Sequence, residues 1–319
     1  PHTAYLSSWL LMIITAGASI CSLVYERRLW CRHLCPIGGM NRMFAKLAPI
    51  ELRSTQQMCG SQCNTLGCYK GGEATTATFA EALPSEGQET DGCPLYSHPA
   101  QLTDNRDCVL CMTCLKACSN RSVQLNLRFP AADILENNGH GFPAEVALML
   151  LLFGGAFLHY SQPLLSWLGW GNLSIDSEHL LISVPVVTIL LSIPLVATYL
   201  THKLTRLFAP QLPDYLTVIY AYLPMTLGIN LAYYIPAAIT EAGDIFAMIS
   251  QSFGLWGASL PSITGSMDVA IFLQGVTLLL ALLLSFFPLL KISQRPLSNN
   301  LPHIGLMSGF ILVFFNLID

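Results

Sequence analysis

Six stretches of this chain are apolar over roughly the 20 residues that a helix needs to cross the hydrocarbon core of a bilayer. They run Tyr5–Tyr25, Ala144–Leu168, Leu180–Leu200, Tyr215–Ile239, Val269–Leu289 and, a little short, His303–Leu317. Lipid offers no partner to backbone groups outside helices or closed barrels. The expected class is therefore a mainly α-helical polytopic membrane protein with about six transmembrane helices. Composition agrees, because 53% of the 319 residues are hydrophobic and only 11% are charged, too apolar for an ordinary soluble domain. Pro163, Pro185, Pro194, Pro224 and Pro236 fall inside the stretches; neighbouring helices can satisfy the carbonyls they free, so they read as kinks. The chain opens Pro-His-Thr, so its start is expected to be processed or truncated, and residues 1–25 lack the pattern of a signal peptide.

Six crossings put 26–143, 201–214 and 290–302 on one side. The N-terminus, 169–179, 240–268 and the C-terminal tip fall on the other. All 15 lysines and arginines lie on the first side. Long domains obey the charge rule poorly, so the short loops decide. Lys203, Arg206, Lys291 and Arg295 stand against none opposite, and Arg27, Arg28 and Arg32 flank the first stretch. The positive-inside rule puts 26–143 in the cytoplasm and the N-terminus outside, in a bacterial-type inner membrane. The net charge of −4 selects no partner by itself, and no nucleic acid is expected among the partners.

All eleven cysteines lie between residues 21 and 118. In a reducing compartment they are metal ligands, catalytic thiols or inert, rather than disulfides. In DCVLCMTCLKACS, Cys108, Cys111, Cys114 and Cys118 follow the C-x2-C-x2-C-x3-C run of bacterial ferredoxins. There three thiolates grip one iron–sulfur cube and the fourth reaches a second. A zinc site is the alternative, but it usually uses two C-x2-C knuckles separated by a longer spacer. The partner half is stretched: MCGSQCNTLGC supplies Cys59, Cys63 and Cys68, and DGCP supplies Cys93 before Pro94. The crossing rule gives Cys59, Cys63, Cys68 and Cys118 to one [4Fe–4S] cluster, and Cys108, Cys111, Cys114 and Cys93 to the other. Three departures stand out: the x3 and x4 spacings, the insertion of 69–92, and Ser119 where proline is usual. The insertion carries five acids and few large apolar residues, so it is expected to be a mobile loop. After it, SVQLNLRFP alternates Val123, Leu125 and Leu127 with polar residues, as a short closing strand would.

Cys21 lies inside the first stretch and reads as packing. Cys31 and Cys35 share a helix face, just before Pro36 and Gly38-Gly39 end that helix. Arg27, Arg28 and Arg32 would favour their thiolates, which suits a redox or metal role; a cysteine-rich membrane-edge turn is the plainer alternative. The pattern Trp30-Cys31-x-x-Leu34-Cys35-Pro36-x-Gly38, followed by ferredoxin motifs, resembles the membrane polyferredoxins of the NosR/NapH type over residues 5–130. The resemblance implies electron transfer between a quinol or cytoplasmic donor and a membrane or extracytoplasmic redox partner. Members commonly have two C-x3-C-P pairs and this chain has one; residues 140–319 carry no motif of the family. The organisation expected is a first transmembrane helix (1–25), a membrane-edge C-x3-C-P segment (26–50), an inserted small α+β two-cluster ferredoxin-like cytoplasmic domain (51–130), and a five-helix transmembrane domain (144–319).

In the later stretches His159 and His179 are expected at similar depth on the outer side, and His202 and His303 near the cytoplasmic ends. Paired histidines would suit haem b; helix-end anchoring is the plainer reading. Asn230 would bond across helices or touch a quinone. Glu241–Asp268, containing DIFAMISQSFGLW, would lie as an amphipathic helix on the membrane surface. Two other classes use the same residues. A redox or metal sensor would need the same cysteines. A transporter would need charges along its spans, and these have almost none beyond Glu145.

Overall fold

An unbroken apolar run gives α1 (Ala4–Val24), on which Trp9, Leu11, Ile13 and Leu23 stand exposed as a lipid-facing surface requires. The computed structural model describes residues 4–25, 29–73, 87–136, 142–170, 180–243 and 265–318. Two units divide the chain, Pro1–Glu136 and Asn137–Asp319. Arg27, Arg28, His179 and the DIFAMISQSFGLW segment lie outside the described residues, as do 74–86 of the insertion.

In the first unit the chain leaves α1 and makes a π-helical turn at Trp30–Leu34. The Trp30 indole folds back onto Gly17, where a Cβ would lie 2.6 Å from the ring. Pro36 then opens α2 (Pro36–Phe44), a first-turn position where its missing N–H costs nothing. Strand β1 (Ile50–Ser54) pairs antiparallel with β2 (Val123–Leu127), Leu52 opposite Leu125. The strand expected at Val123–Leu127 is present. Leu52 and Val123 bury the apolar face, while Leu127 at its far end is exposed. The opposite face carries charge. Arg53 reaches Glu51 at 3.0 Å and Asp133 at 3.1 Å, and Arg128 reaches Glu51 at 2.7 Å. The carboxylate of Asp133, at the start of α5 (Ala132–Glu136), is buried and also accepts from the Asn105 N–H at 2.9 Å. Two short helices complete the unit, α3 (Gly67–Lys70) and α4 (Thr113–Ala117).

The regular elements described in the second unit are all helices, among them α6 (Pro143–His159), α7 (Ser161–Trp167), α8 (Leu180–Phe208), α9 (Tyr215–Val218), α10 (Leu223–Thr240), α11 (Met267–Ser293) and α12 (Leu301–Asn316). Among the described residues four helices are long and apolar enough to cross a membrane: Leu181–Phe208, Tyr215–Thr240, Met267–Ser293 and Leu297–Asn316. The stretch expected as one span at Ala144–Leu168 is bent by 64° between α6 and α7 and makes a fifth if counted whole; Ser8–Val24 is a shorter apolar helix. The bend has a residue-level cause. Pro163 cannot donate to the His159 carbonyl and its ring crowds that carbonyl, and the break falls at Tyr160. Pro185, Pro194 and Pro236 lie inside helices that continue past them, whereas Pro224 stands in the first turn of α10. The unit's core is aromatic: Phe153 and Phe157 meet Phe310, and Phe157 meets Phe314, with ring centroids 4.8–5.7 Å apart.

Candidate functional site

The two halves of the cysteine block have very different spacings but repeat one local geometry. In both, the third cysteine enters a short helix capped by a left-handed residue. Leu66 (φ 50°) precedes Gly67-Cys68 on α3, and Met112 (φ 60°) precedes Thr113-Cys114 on α4. The fourth cysteines match as well. Three residues after Cys93 stands left-handed Tyr96 (φ 51°), and three after Cys118 stands left-handed Arg121 (φ 48°). In each case the next residue, a serine, points its N–H at the sulfur: Ser97 to Cys93 at 3.4 Å, Ser122 to Cys118 at 3.3 Å. Left-handed backbone is uncommon outside glycine. Its recurrence at matched places is a wrap that turns N–H groups inward, and Ser119 serves it as well as Pro94 does.

The insertion leaves this geometry intact because it is pinched off at its neck. Gly72 and Thr90 bond each other in both directions, at 2.9 and 3.2 Å, and the Cys93 N–H donates to the Tyr69 carbonyl at 3.1 Å. Cys93 is thus returned beside α3 whatever lies between. The neck requires Gly92, whose φ is +79° and whose Cβ would fall 2.5 Å from the Tyr69 oxygen.

Several of these thiols feel one another's charge, Cys68 and Cys114 included. Burial, then the charges of Cys63, Cys59 and Cys118, pushes Cys68 up to about 12. Burial, then Cys108, Cys111, Cys68 and Cys93, pushes Cys114 up to about 12. Cys108 is raised by burial too, against the Leu110 N–H that favours its thiolate. Cys63 goes the other way. Burial opposes its charge, yet the Leu66 and Thr65 N–H groups and the Thr65 hydroxyl outweigh it and the net shift is downward. Cys93, Cys108, Cys111 and Cys114 line one hollow with Leu52, Leu95 and Pro99. Among the described residues no three Cys, His, Asp or Glu side chains close on a single ion. A cube takes its thiolates at separate corners, and the inward N–H groups and the apolar walls around four thiols in one hollow fit such a group.

Cys31 and Cys35 precede these thiols in the chain, and their turn has a counterpart among them. Trp30–Leu34 and Met58–Gln62 are both five-residue π turns that begin one residue before a C-x3-C pair. Each ends on the second cysteine in extended backbone, Cys35 at φ −78°, ψ 120° and Cys63 at φ −85°, ψ 114°. Each closes through that cysteine's N–H, onto Trp30 O at 2.8 Å and Met58 O at 3.1 Å. Gly38 completes the first turn, for a Cβ there would fall 1.8 Å from the Cys31 carbonyl oxygen. Further along α2, Arg42 binds Asp107 at 2.7 Å, next to Cys108. Sequence spacing gave no hint of this tie.

Among the other residues singled out, Asn230 donates to Leu152 O on α6 at 3.3 Å and to Thr226 O in its own helix at 2.8 Å. Glu145 accepts from the Tyr220 hydroxyl at 2.7 Å. His159 is exposed and stacks on Tyr233 with centroids 4.3 Å apart. His202 and His303 do meet, deep between α8 and α12.

Residues 7–53 match a family model described as a 4Fe-4S binding domain. The matched residues include Cys21, Cys31 and Cys35, and end before Cys59. A protein of Escherichia coli (strain K12), provisionally named electron transport protein YccM, is 25% identical over 146 residues, which is 45% of this chain and 33% of YccM. The match thus spans about a third of that curated relative. No solved structure matches the chain.

Proposed function

We propose that this chain is a membrane-anchored iron–sulfur electron-transfer protein of the polyferredoxin kind. The observation that carries the reading is the doubled wrap, left-handed residue, cysteine and serine N–H, around two sets of four thiols. Cys59, Cys63, Cys68 and Cys118 hold one [4Fe–4S] cluster, and Cys93, Cys108, Cys111 and Cys114 the other. Such clusters supply one-electron oxidation and reduction when bound. The chain's own residues hold them, shield them from water and set their potential. Inward N–H groups stabilise the more negative, reduced state, and the apolar hollow opposes it. Cys31 and Cys35, offered on the same turn as Cys59 and Cys63, take a ligand or redox role at the membrane edge. The Arg42–Asp107 pair holds that turn against the Cys108 loop, with roughly 10 Å of helix rise between Cys35 and Arg42. In this reading the chain crosses six times, with the clusters in the cytoplasm and the N-terminus outside, as the short-loop charges favour. Electrons pass between a quinol or cytoplasmic donor and a membrane or extracytoplasmic partner, in line with the naming of YccM.

Replacing Cys108, Cys111 and Cys114 with Ser in the anaerobically purified chain should remove about half the iron and one of two reduced-cluster paramagnetic signals, as expected for two cubes. Unchanged iron would refute the assignment.

A further inference from the structure

Within the second unit, His202 on α8 and His303 on α12 lie with ring centroids 5.8 Å apart, inclined at 57°. They are 3% and 1% exposed. Neither nitrogen of His202 and not Nε2 of His303 has a hydrogen-bond partner among the described residues. Buried polar atoms are nearly always satisfied, and leaving one bare costs about 1–3 kcal/mol. Three bare nitrogens on two adjacent rings therefore point to a ligand. The remaining nitrogen, Nδ1 of His303, meets the Tyr222 hydroxyl at 2.8 Å. One ring nitrogen fixed by a protein group while the other stays free is how an imidazole is oriented toward a metal. The separation fits as well. With metal–nitrogen bonds of about 2 Å, two imidazoles on one centre hold their centroids about 5–6.5 Å apart. Arg206, one turn further along α8, is paired with Asp214 at 2.7 Å.

We propose that His202 and His303 are the protein ligands of a transition-metal centre inside the helical unit, with Tyr222 positioning His303. Two neutral imidazoles suit iron, copper, nickel or zinc, free or as haem iron. The site shares no residue with the cysteine sets, so either assignment can fail alone.

The test measures total metal, acid-labile sulfide and the pyridine haemochrome of the anaerobically purified full chain. Metal beyond the iron matched by sulfide, at about one per chain, is the expected result; a haem spectrum identifies haem iron and its absence a bare ion. His202→Ala and His303→Ala should each lower that metal at least tenfold and leave the reduced-cluster signals in place, while His159→Ala changes neither. Tyr222→Phe should weaken binding of added Zn(II) or Cu(II), or of haemin, by about 10–100-fold. Should a variant fail to fold, nitrogen hyperfine coupling on Cu(II) or haem iron in the unaltered chain gives an independent reading. If the unaltered chain holds no such metal and binds none of the three probes stoichiometrically, the two rings are bridged by water only and the proposal is overturned. The same holds if both alanine variants keep the metal.

Discussion

Cys63 and Cys68 lie five residues apart in one set of thiols, yet their surroundings push them in opposite directions. The difference is who supplies the hydrogen bonds. N–H groups aimed at Cys63 favour its anion, while Cys68 is buried among other thiols and keeps its proton. Metal loading must displace such protons, so iron uptake should weaken in acid. The stripped protein should show the opposite edge of the same effect. Unfolded thiols titrate near the ordinary value of 9.0, whereas folded Cys68 and Cys114 titrate near about 12. Between those values the native state binds more protons than the unfolded one, so stability falls as pH rises. Below 9.0 the contribution is complete; it is lost on the way to about 12. Thermal melting of chelator-stripped, reduced protein should give a lower Tm at about pH 10.5 than at pH 8, and Cys68→Ser/Cys114→Ser should flatten that difference. An equal pH response in the double variant would show that other groups cause it.

At the scale of elements, legibility followed the range of the interaction. The strand at Val123–Leu127 was visible in its alternation. Its partner, Ile50–Ser54, was not, because pairing across some 70 residues leaves no local mark. The kinking power of Pro163 was legible; that the break would be as large as 64° was not. The C-x3-C spacings could be counted, but not that both would be π turns, since an i→i+5 bond has no residue signature. Gly71 and Gly92 stand near the two ends of the insertion, and glycine's tolerance of the left-handed φ that both adopt is the signal that could have revealed its neck. That neck makes a prediction. Because Gly72–Thr90 and Cys93–Tyr69 close it below the insertion, replacing residues 74–86 with a short Gly-Ser linker should leave iron content and both cluster signals unchanged. Gly92→Val puts a side chain into the Tyr69 carbonyl; it should release Cys93 and cost one signal. Loss of iron from the shortened chain would mean that the insertion itself holds the site together.

For the molecule as a whole, the sidedness of every later loop turns on whether the bent pair α6–α7 crosses the membrane. A helix rises about 1.5 Å per residue. The 17 residues of α6 therefore give about 26 Å, short of a hydrocarbon core of about 30 Å. The seven residues of α7, inclined at 64°, add about 5 Å along the same direction. The pair just closes the distance. Charge supports a crossing independently. Lys203, Arg206, Lys291 and Arg295 share a side with residues 26–143 only if α6–α7 passes through; a re-entrant pair would put all four outside. Both arguments favour α6–α7 as a crossing; with α1 as a further crossing, the proposed topology has six and puts the C-terminus on the same side as the N-terminus. An alkaline phosphatase fused after Asp319 should then be active, and a green fluorescent protein at the same place dark. Fusions within 209–213, in the loop between α8 and α9, should show the reverse. A fluorescent C-terminal fusion with an active phosphatase in that loop would mean that α6–α7 turns back, and the positive-inside reading would fall with it.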